Sequence, residues 1–218
     1  AIKVDRDTER ANRSHHHRRR VPNRNGGMNE KIADIIAEVR ATIGDPEPIE
    51  CEHKFVIHPI AFCDIPAEAN PHMVHIMQTY LLPPKGGRKG ETHRLRIERD
   101  LDGSGVTYWF TRKWDVENPG ERGESNRVIT RRMYNKLLRR SDPAYDTIYK
   151  HRIRFMQDCQ LFEIDDYVGP PRLRGLQVME AEVHSLEDPL SMPAYVRVKS
   201  DATHDKSMSN KALAKRTA

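Results

Sequence analysis

The residues that could do chemistry begin at Glu50-Cys51-Glu52-His53-Lys54, where charged side chains take every second position. In an extended chain, residues at i, i+2 and i+4 point to one face. Two carboxylates and an ammonium then stand in a row, which an apolar core does not accept without partners. A solvent-facing amphipathic strand gives the same short pattern. However, the alternation recurs along the chain. Arg94, Arg96 and Glu98 share one face of the stretch 92–99, and Thr107, Trp109, Thr111 and Lys113 share one face of 106–114. Arg122, Glu124 and Asn126 alternate next, followed by Lys150, Arg152 and Arg154. Glu163 and Asp165 then share a face with Leu161, and Glu180 and Glu182 share one with Leu176 and Val178.

The charges are sorted by sign. Glu50, Glu52, Asp165, Glu180 and Glu182, with Glu163 near them, form a carboxylate group that repels itself unless a hard divalent cation sits between its members. Mg²⁺ or Mn²⁺ suits such all-oxygen ligands. Lys54, Arg94, Arg96, Lys113, Lys150, Arg152 and Arg154 form a basic group suited to a polyanion, since guanidinium forks match phosphate oxygens in pairs. A metal beside an Arg/Lys cradle is what phosphoryl transfer requires.

The elements that must position these residues follow from periodicity. Eight strands are expected at 50–57, 74–82, 92–99, 106–114, 122–129, 147–155, 160–168 and 176–183, joined mainly by turns. Residues 59–73 read as a loop. The stretch 83–90, Pro-Pro-Lys-Gly-Gly-Arg-Lys-Gly, is a turn that lacks the spacing of a phosphate-binding loop. Met133, Tyr134, Leu137 and Leu138 place one helix at 130–140 with Thr130 as its cap. A second amphipathic helix is expected at 29–43, where Ile32, Ile35, Ile36, Val39 and Ile43 form one stripe. The fold class is therefore mainly β with flanking helices (α+β), built on an eight-stranded antiparallel closed β-barrel. Its parts are a basic extended arm at 1–27, the helix and linker at 28–48, the tunnel domain at 49–185 and a C-terminal helical tail at 186–218.

Composition sets the limits. In 218 residues, 37% are hydrophobic and 32% charged, enough for one core that must accommodate much charge. The arm holds eight Lys and Arg against three Asp and Glu, so it accounts for the whole net charge of +5. Its His15-His16-His17-Arg18-Arg19-Arg20 centre suits contact with an RNA backbone or an acidic protein surface. The three cysteines show no C-x-x-C spacing, so a reducing intracellular compartment, cytoplasm or mitochondrion, is expected. There is no apolar run of about 18 residues and no signal-peptide core, so no membrane span is expected. Trp109 and Trp114 read as packing residues. His53, His58, His72, His75 and His151 read as surface or core residues rather than ligands, and Arg99 and Arg112 fall on the face opposite the charged row.

Eight motifs in this order resemble the triphosphate tunnel metalloenzyme superfamily, also called CYTH domains. They are Glu50-x-Glu52-x-Lys54, Gln78-Thr79-Tyr80-Leu81, Arg94-x-Arg96, Thr111-x-Lys113, Arg122-x-Glu124, Lys150-x-Arg152, Glu163-x-Asp165 and Glu180-x-Glu182. The resemblance spans about 49–183. It implies a tunnel with polar residues inside and divalent-metal-dependent hydrolysis of a triphosphate-containing small molecule, whether inorganic, nucleoside or thiamine triphosphate. It implies Glu50, Glu52 and Lys54 as the catalytic set. Glu50, Glu52, Asp165, Glu180 and Glu182 are implied as ligands of Mg²⁺ or Mn²⁺. Lys54, Arg94, Arg96, Lys113, Arg122, Lys150, Arg152 and Lys211 are implied as the polyphosphate grip. One departure is Asn126, which stands where the family's Arg-x-Glu-x-Glu pattern places an acid.

An alternative expectation is a structural subunit of a large, organellar (mitochondrial) assembly. It would keep the fold for phosphate or nucleotide binding and be anchored by its basic arm to a larger protein or RNA assembly. A purely RNA-binding barrel fits less well, because the domain without its arm is neutral and only 6% of residues are aromatic.

Overall fold

A computed structural model describes residues 49–83, 85–101, 103–117 and 122–217, with Ile49 and Glu50 described by backbone alone. The predicted arm, the helix at 29–43 and the Asn118-Pro119-Gly120 turn lie outside the described residues. The strands are β1 (Ile49–Glu50), β2 (Glu52–Ile57), β3 (His72–Leu81), β4 (Thr92–Asp100), β5 (Val106–Asp115), β6 (Arg122–Ile129), β7 (Ile148–Gln157), β8 (Gln160–Gly169), β9 (Gln177–Glu182) and β10 (Val198–Asp201). Helix α1 spans Arg131–Leu138 and helix α2 spans Asn210–Ala214.

These strands form one antiparallel sheet in the order β1-β6-β5-β4-β3-β7-β8-β9-β2-β10. Ten strands therefore stand where eight were expected. The first predicted strand breaks at Cys51 into β1, which pairs with β6, and β2, which pairs with β9 and β10. The extra strand β10 comes from the tail, which was expected to be helical. Residues 59–73 are also more ordered than a plain loop, with short 3₁₀ turns at Phe62–Asp64 and Ala67–Ala69.

Register explains how the charged rows come together. Lys54 lies opposite Glu180, and Glu52 opposite Glu182. Arg152 lies opposite Asp165, and Arg154 opposite Glu163. Arg94 lies opposite Thr111, and Lys113 opposite Glu124. Directly opposed residues share a face, so strands from across the sheet contribute to a single charged face. On β3 that face carries the apolar Val74 and Ile76, then Gln78 and Tyr80.

The hydrophobic core is mostly on the other face. Phe155, Phe162, Ile153, Ile164, Met179 and Ile57 form one cluster, with Ile65, Ala69 and Val196 from the connecting segments laid over it. Phe155 and Phe162 stack with ring centroids 5.5 Å apart. A second cluster, Leu81, Leu95 and Tyr134, seats α1 against β3, β4 and β5. Thr130 caps that helix as expected, its hydroxyl accepting from Met133 N at 3.2 Å. The third cluster, Tyr80, Ile148, Tyr167, Val178, Leu173 and Ala214, seals one end of the charged face under α2.

Trp114 is buried, as expected for packing, and its ring lies on Gly123, its cross-strand partner. A Cβ at Gly123 would meet ring atoms at 2.1–2.6 Å. Gly123→Ala is expected to cost roughly 1–3 kcal/mol through overpacking, read as a lower denaturation midpoint with an unchanged slope. An undisturbed midpoint would mean that the ring moves freely.

The loop before β4 is tied down by Glu91. Its Oε1 accepts from His93 Nε2 at 2.7 Å and Arg112 Nε at 2.9 Å, and its Oε2 accepts from Arg88 N at 2.7 Å. Arg112 is thus on the expected face but ion-paired rather than merely solvated. Chiefly the His93 contact holds the Glu91 carboxyl down to about 2, against its burial and helped by Arg88 N and Arg112. A carboxylate with a depressed pKa stabilises the fold above its ordinary range, and that contribution fades as pH falls toward the depressed value. Glu91→Gln is therefore expected to lose on the order of 1–2 kcal/mol at pH 7. Thermal unfolding should show the gap to wild type narrowing between pH 5 and pH 2.

Candidate active site

The charged face lines a cavity of about 200 Å³. Its lining includes Glu52, Arg94, Arg96, Lys113, Arg152, Glu163, Glu180 and Glu182. A second space of about 110 Å³ shares Glu52, Arg94, Lys113 and Asn210 with it and adds Lys54, Arg122 and Lys211. Apart from Glu50, whose side chain is not described, and the fully buried Lys150 and Asp165, every residue singled out for the site lines one of these two spaces.

The bases fall into two groups by what they touch. Arg152 is saturated. Its Nε donates to Asp165 Oδ1 at 2.6 Å, its second terminal nitrogen to Asp165 Oδ2 at 2.7 Å and Glu180 Oε2 at 3.0 Å, and its first to Glu163. Lys150 donates to Asp165 and, at 3.1 Å, to Asn210 Oδ1. Lys54 Nζ sits between Glu52 Oε1 at 2.6 Å and Glu180 Oε1 at 2.7 Å. Arg154 bridges Glu163 at 2.8 Å and Glu98 at 2.6 Å.

Arg94 and Arg96 differ. Arg94 makes long contacts, 3.3 Å to Gln78 Oε1, 3.4 Å to Thr111 Oγ1 and 3.8 Å to Glu124, and also faces the Tyr80 hydroxyl. Its Nε is buried without a hydrogen-bond partner. Arg96 Nε is likewise orphaned, 3.9 Å from Glu98 Oε1, while Glu98 already serves Arg154 and Trp109 Nε1. The Arg96 guanidinium also lies 5.4 Å from the centroid of the Trp109 ring. Burial, with Arg94 and Arg152 close by, pushes Arg96 down to about 10. These two adjacent cations, Arg94 buried and Arg96 partly buried, thus have only long ion pairs, to Glu124 and Glu98, unlike their neighbours.

The acids mirror this division. Burial alone would raise Asp165, but Arg152 and Lys150 outweigh it and hold the carboxyl below its ordinary range. Burial likewise opposes the Glu180 carboxylate, and Lys54 and Arg152 overcome it. Lys54 is held charged in the same way, since Glu180 and Glu52 outweigh its desolvation. Glu52 goes the other way. Burial and the nearby Glu180 raise it, in spite of Lys54 and Lys113.

Among the described residues no three His, Cys, Asp or Glu side chains are arranged to hold a metal ion. The chemistry of the donors still distinguishes them. Asp165 and Glu180 spend their oxygens on buried cations. Glu52 and the exposed Glu182 line the cavity without a guanidinium partner, and their carboxylates fit a hard divalent ion.

At the sealed end, Asn210 Oδ1 accepts from Tyr167 OH at 2.8 Å as well as from Lys150, so α2 is fixed to the charged floor. Lys211 borders the smaller space with its ammonium 5.4 Å from the centroid of the Tyr145 ring. Arg122 ties the strand end to Gly90 O at 2.9 Å and to Asp115 at 3.6 Å. Asn126 accepts from Thr111 Oγ1 at 2.6 Å and donates to Glu124, so the amide that replaces an acid holds the neighbouring carboxylate in place.

Sequence reading placed one participant on the right face but misjudged its role, and missed another. Trp109, read as packing, stands on the charged face with Glu98 and Arg96. The signal was its even spacing from Thr111 and Lys113. Asn210 gave no signal, because only the docking of α2 brings it to Lys150.

No family model matches the sequence, and no curated protein matches it. Solved structures do. The inorganic triphosphatase NE1496 is 26% identical, with TM-score 0.50, covering 77% of this chain and 95% of that one. A second structure of NE1496, described as a hypothetical protein, is also 26% identical, with TM-score 0.49, covering 78% and 99%. Protein PH1819 of Pyrococcus horikoshii OT3 is 17% identical, with TM-score 0.44, covering 63% and 80%. Together with the motifs brought to one charged face, the likeness to NE1496 supports the triphosphate tunnel (CYTH) superfamily as the one this chain resembles.

Proposed function

We propose that this protein hydrolyses a phosphoanhydride of a triphosphate-containing small molecule, bound along the charged face with Mg²⁺ or Mn²⁺. The observation that carries the reading is the pair of under-satisfied guanidiniums, Arg94 and Arg96, in a cavity whose other cations are neutralised. A desolvated cation with only distant partners is costly, and a phosphate chain supplies closer acceptors, the Nε of each guanidinium included. The 26% identity to an inorganic triphosphatase supports the same chemistry. The face works as a tunnel in this reading, and the two pairings either side of Cys51, β1 with β6 and β2 with β9, support closure there.

Arg94, Arg96 and Lys113 hold the phosphate oxygens and take up charge as the bridging bond lengthens. Glu52 and Glu182 hold the divalent cation. When bound, that ion neutralises phosphate oxygens and makes its water more acidic. Lys54 stays charged and fixes the orientation of Glu52, so it positions rather than accepts a proton. Asp165, Glu180 and Glu163 hold Arg152 and Lys150 rigid beneath the substrate.

The test is phosphate release from tripolyphosphate, ATP, GTP and thiamine triphosphate with each metal, in wild type and Glu52→Gln. Release by wild type that disappears in the variant is expected. A folded wild type that releases no phosphate from any of the four would overturn the reading.

A further inference from the structure

The outward face of α1 has no part in the charged cavity, since the helix packs on the opposite side of the sheet. From Arg127 to Ser141 the chain carries Arg127, Arg131, Arg132, Lys136, Arg139 and Arg140 with no Asp or Glu. Arg131, Arg132, Lys136 and Arg139 are exposed, and their side chains make no ion pair or hydrogen bond among the described residues. Residues 131, 135 and 139, and likewise 132, 136 and 140, repeat every four residues. On a helix that places successive rungs about 6 Å apart along one side. Arg127, on β6, is exposed on the same side of the sheet.

We infer that this face is a docking surface for the phosphate backbone of a nucleic-acid strand. Charge complementarity favours it, because a run of unpaired cations repels itself until anions arrive in a matching row. The composition of the face argues against a protein partner. A protein interface has an apolar centre with charges at the rim. Here the centre is Arg132, Lys136 and Arg139, and the apolar Met133 and Leu138 lie at the flanks, toward the seated side. The same lack of a central apolar stripe argues against insertion into a lipid surface. No aromatic side chain stands on the helix's outward face to stack a base, so the contact reads backbone and not sequence.

The test is fluorescence anisotropy of a labelled 20-nucleotide oligouridine, titrated with the full chain at several salt concentrations. The variant replaces Arg131, Arg132, Lys136 and Arg139 with Gln and leaves residues 1–27 intact, so any contribution of the basic arm is common to both proteins. The variant is expected to bind about 10-fold more weakly or worse, with a salt slope shallower by about 0.7 for each phosphate it no longer neutralises. A companion variant with Lys at the three Arg positions should bind within a few-fold of wild type. Photo-crosslinking of wild type with 4-thiouridine RNA should label the α1 peptide, which tests the surface even if the Gln variant folds poorly. Equal affinity and slope in wild type and the Gln variant would overturn the inference. So would a loss confined to polyglutamate, long-chain polyphosphate or anionic vesicles.

Discussion

Arg96→Ala is expected to lower kcat/KM for triphosphate hydrolysis by about 10²–10³-fold while leaving the fold as stable as wild type or more so. The two halves of that result come from one fact, that this guanidinium has only a long ion pair, 3.9 Å to Glu98. Removing a preorganised donor to charge that develops in the transition state costs roughly 3–4 kcal/mol of activation free energy. Removing a partly buried cation that Glu98 pairs only at long range relieves desolvation and its repulsion with Arg94 and Arg152, the causes that push it down to about 10. Functional groups are often held at such a cost to stability. Arg96→Lys should recover part of the binding but not the two-pronged grip. Steady-state kinetics and chemical denaturation on the same preparations decide the matter. An Arg96→Ala protein that is destabilised by more than about 1 kcal/mol would show that the side chain is structural.

The contrast between Arg96 and Arg152 was not legible in the sequence. Both sit in an Arg-x-Arg pattern at period 2, and periodicity places both on the charged face, where they are found. Which of them is neutralised depends on register. Asp165 lies opposite Arg152 across β7 and β8, whereas Trp109 lies opposite Arg96 across β4 and β5. Register is set by packing on the far face, by Phe155 against Phe162 and Leu95 beside Phe110, and one sequence does not announce those pairings. The strands themselves were legible because charge alternation marks them more sharply than hydrophobic alternation does. The break at Cys51 was not, since Glu50 and Glu52 keep perfect alternation through it. Strand β10, Val198–Asp201, was hidden for a different reason. It is an exposed edge strand of four residues with no apolar alternation, and it exists because β2 leaves an edge open.

Asp165→Ala is expected to be the most destabilising single change in the site, at about 3–5 kcal/mol. Its carboxylate is fully buried and accepts from Lys150 and, twice, from Arg152. Deleting it strands two cations where water does not reach. Because Arg152 and Lys150 hold this carboxyl below its ordinary range, its contribution is complete above about pH 4 and fades as acid protonates it. The gap between wild type and variant should therefore be full at neutral pH and narrow only in strong acid. A double change, Asp165→Ala with Arg152→Met, should recover a good part of the loss by removing the charge left behind. The metal arm of the experiment gives the result its meaning. A counter-ion stabilises the protein equally in EDTA and in Mg²⁺, so the loss in melting temperature should be the same in both. If Asp165 instead serves the metal first, the variant should match wild type in EDTA and fall behind only when Mg²⁺ is added. Asp165 would then join Glu52 and Glu182 among the ligands, and Arg152 would have to be released before substrate binds.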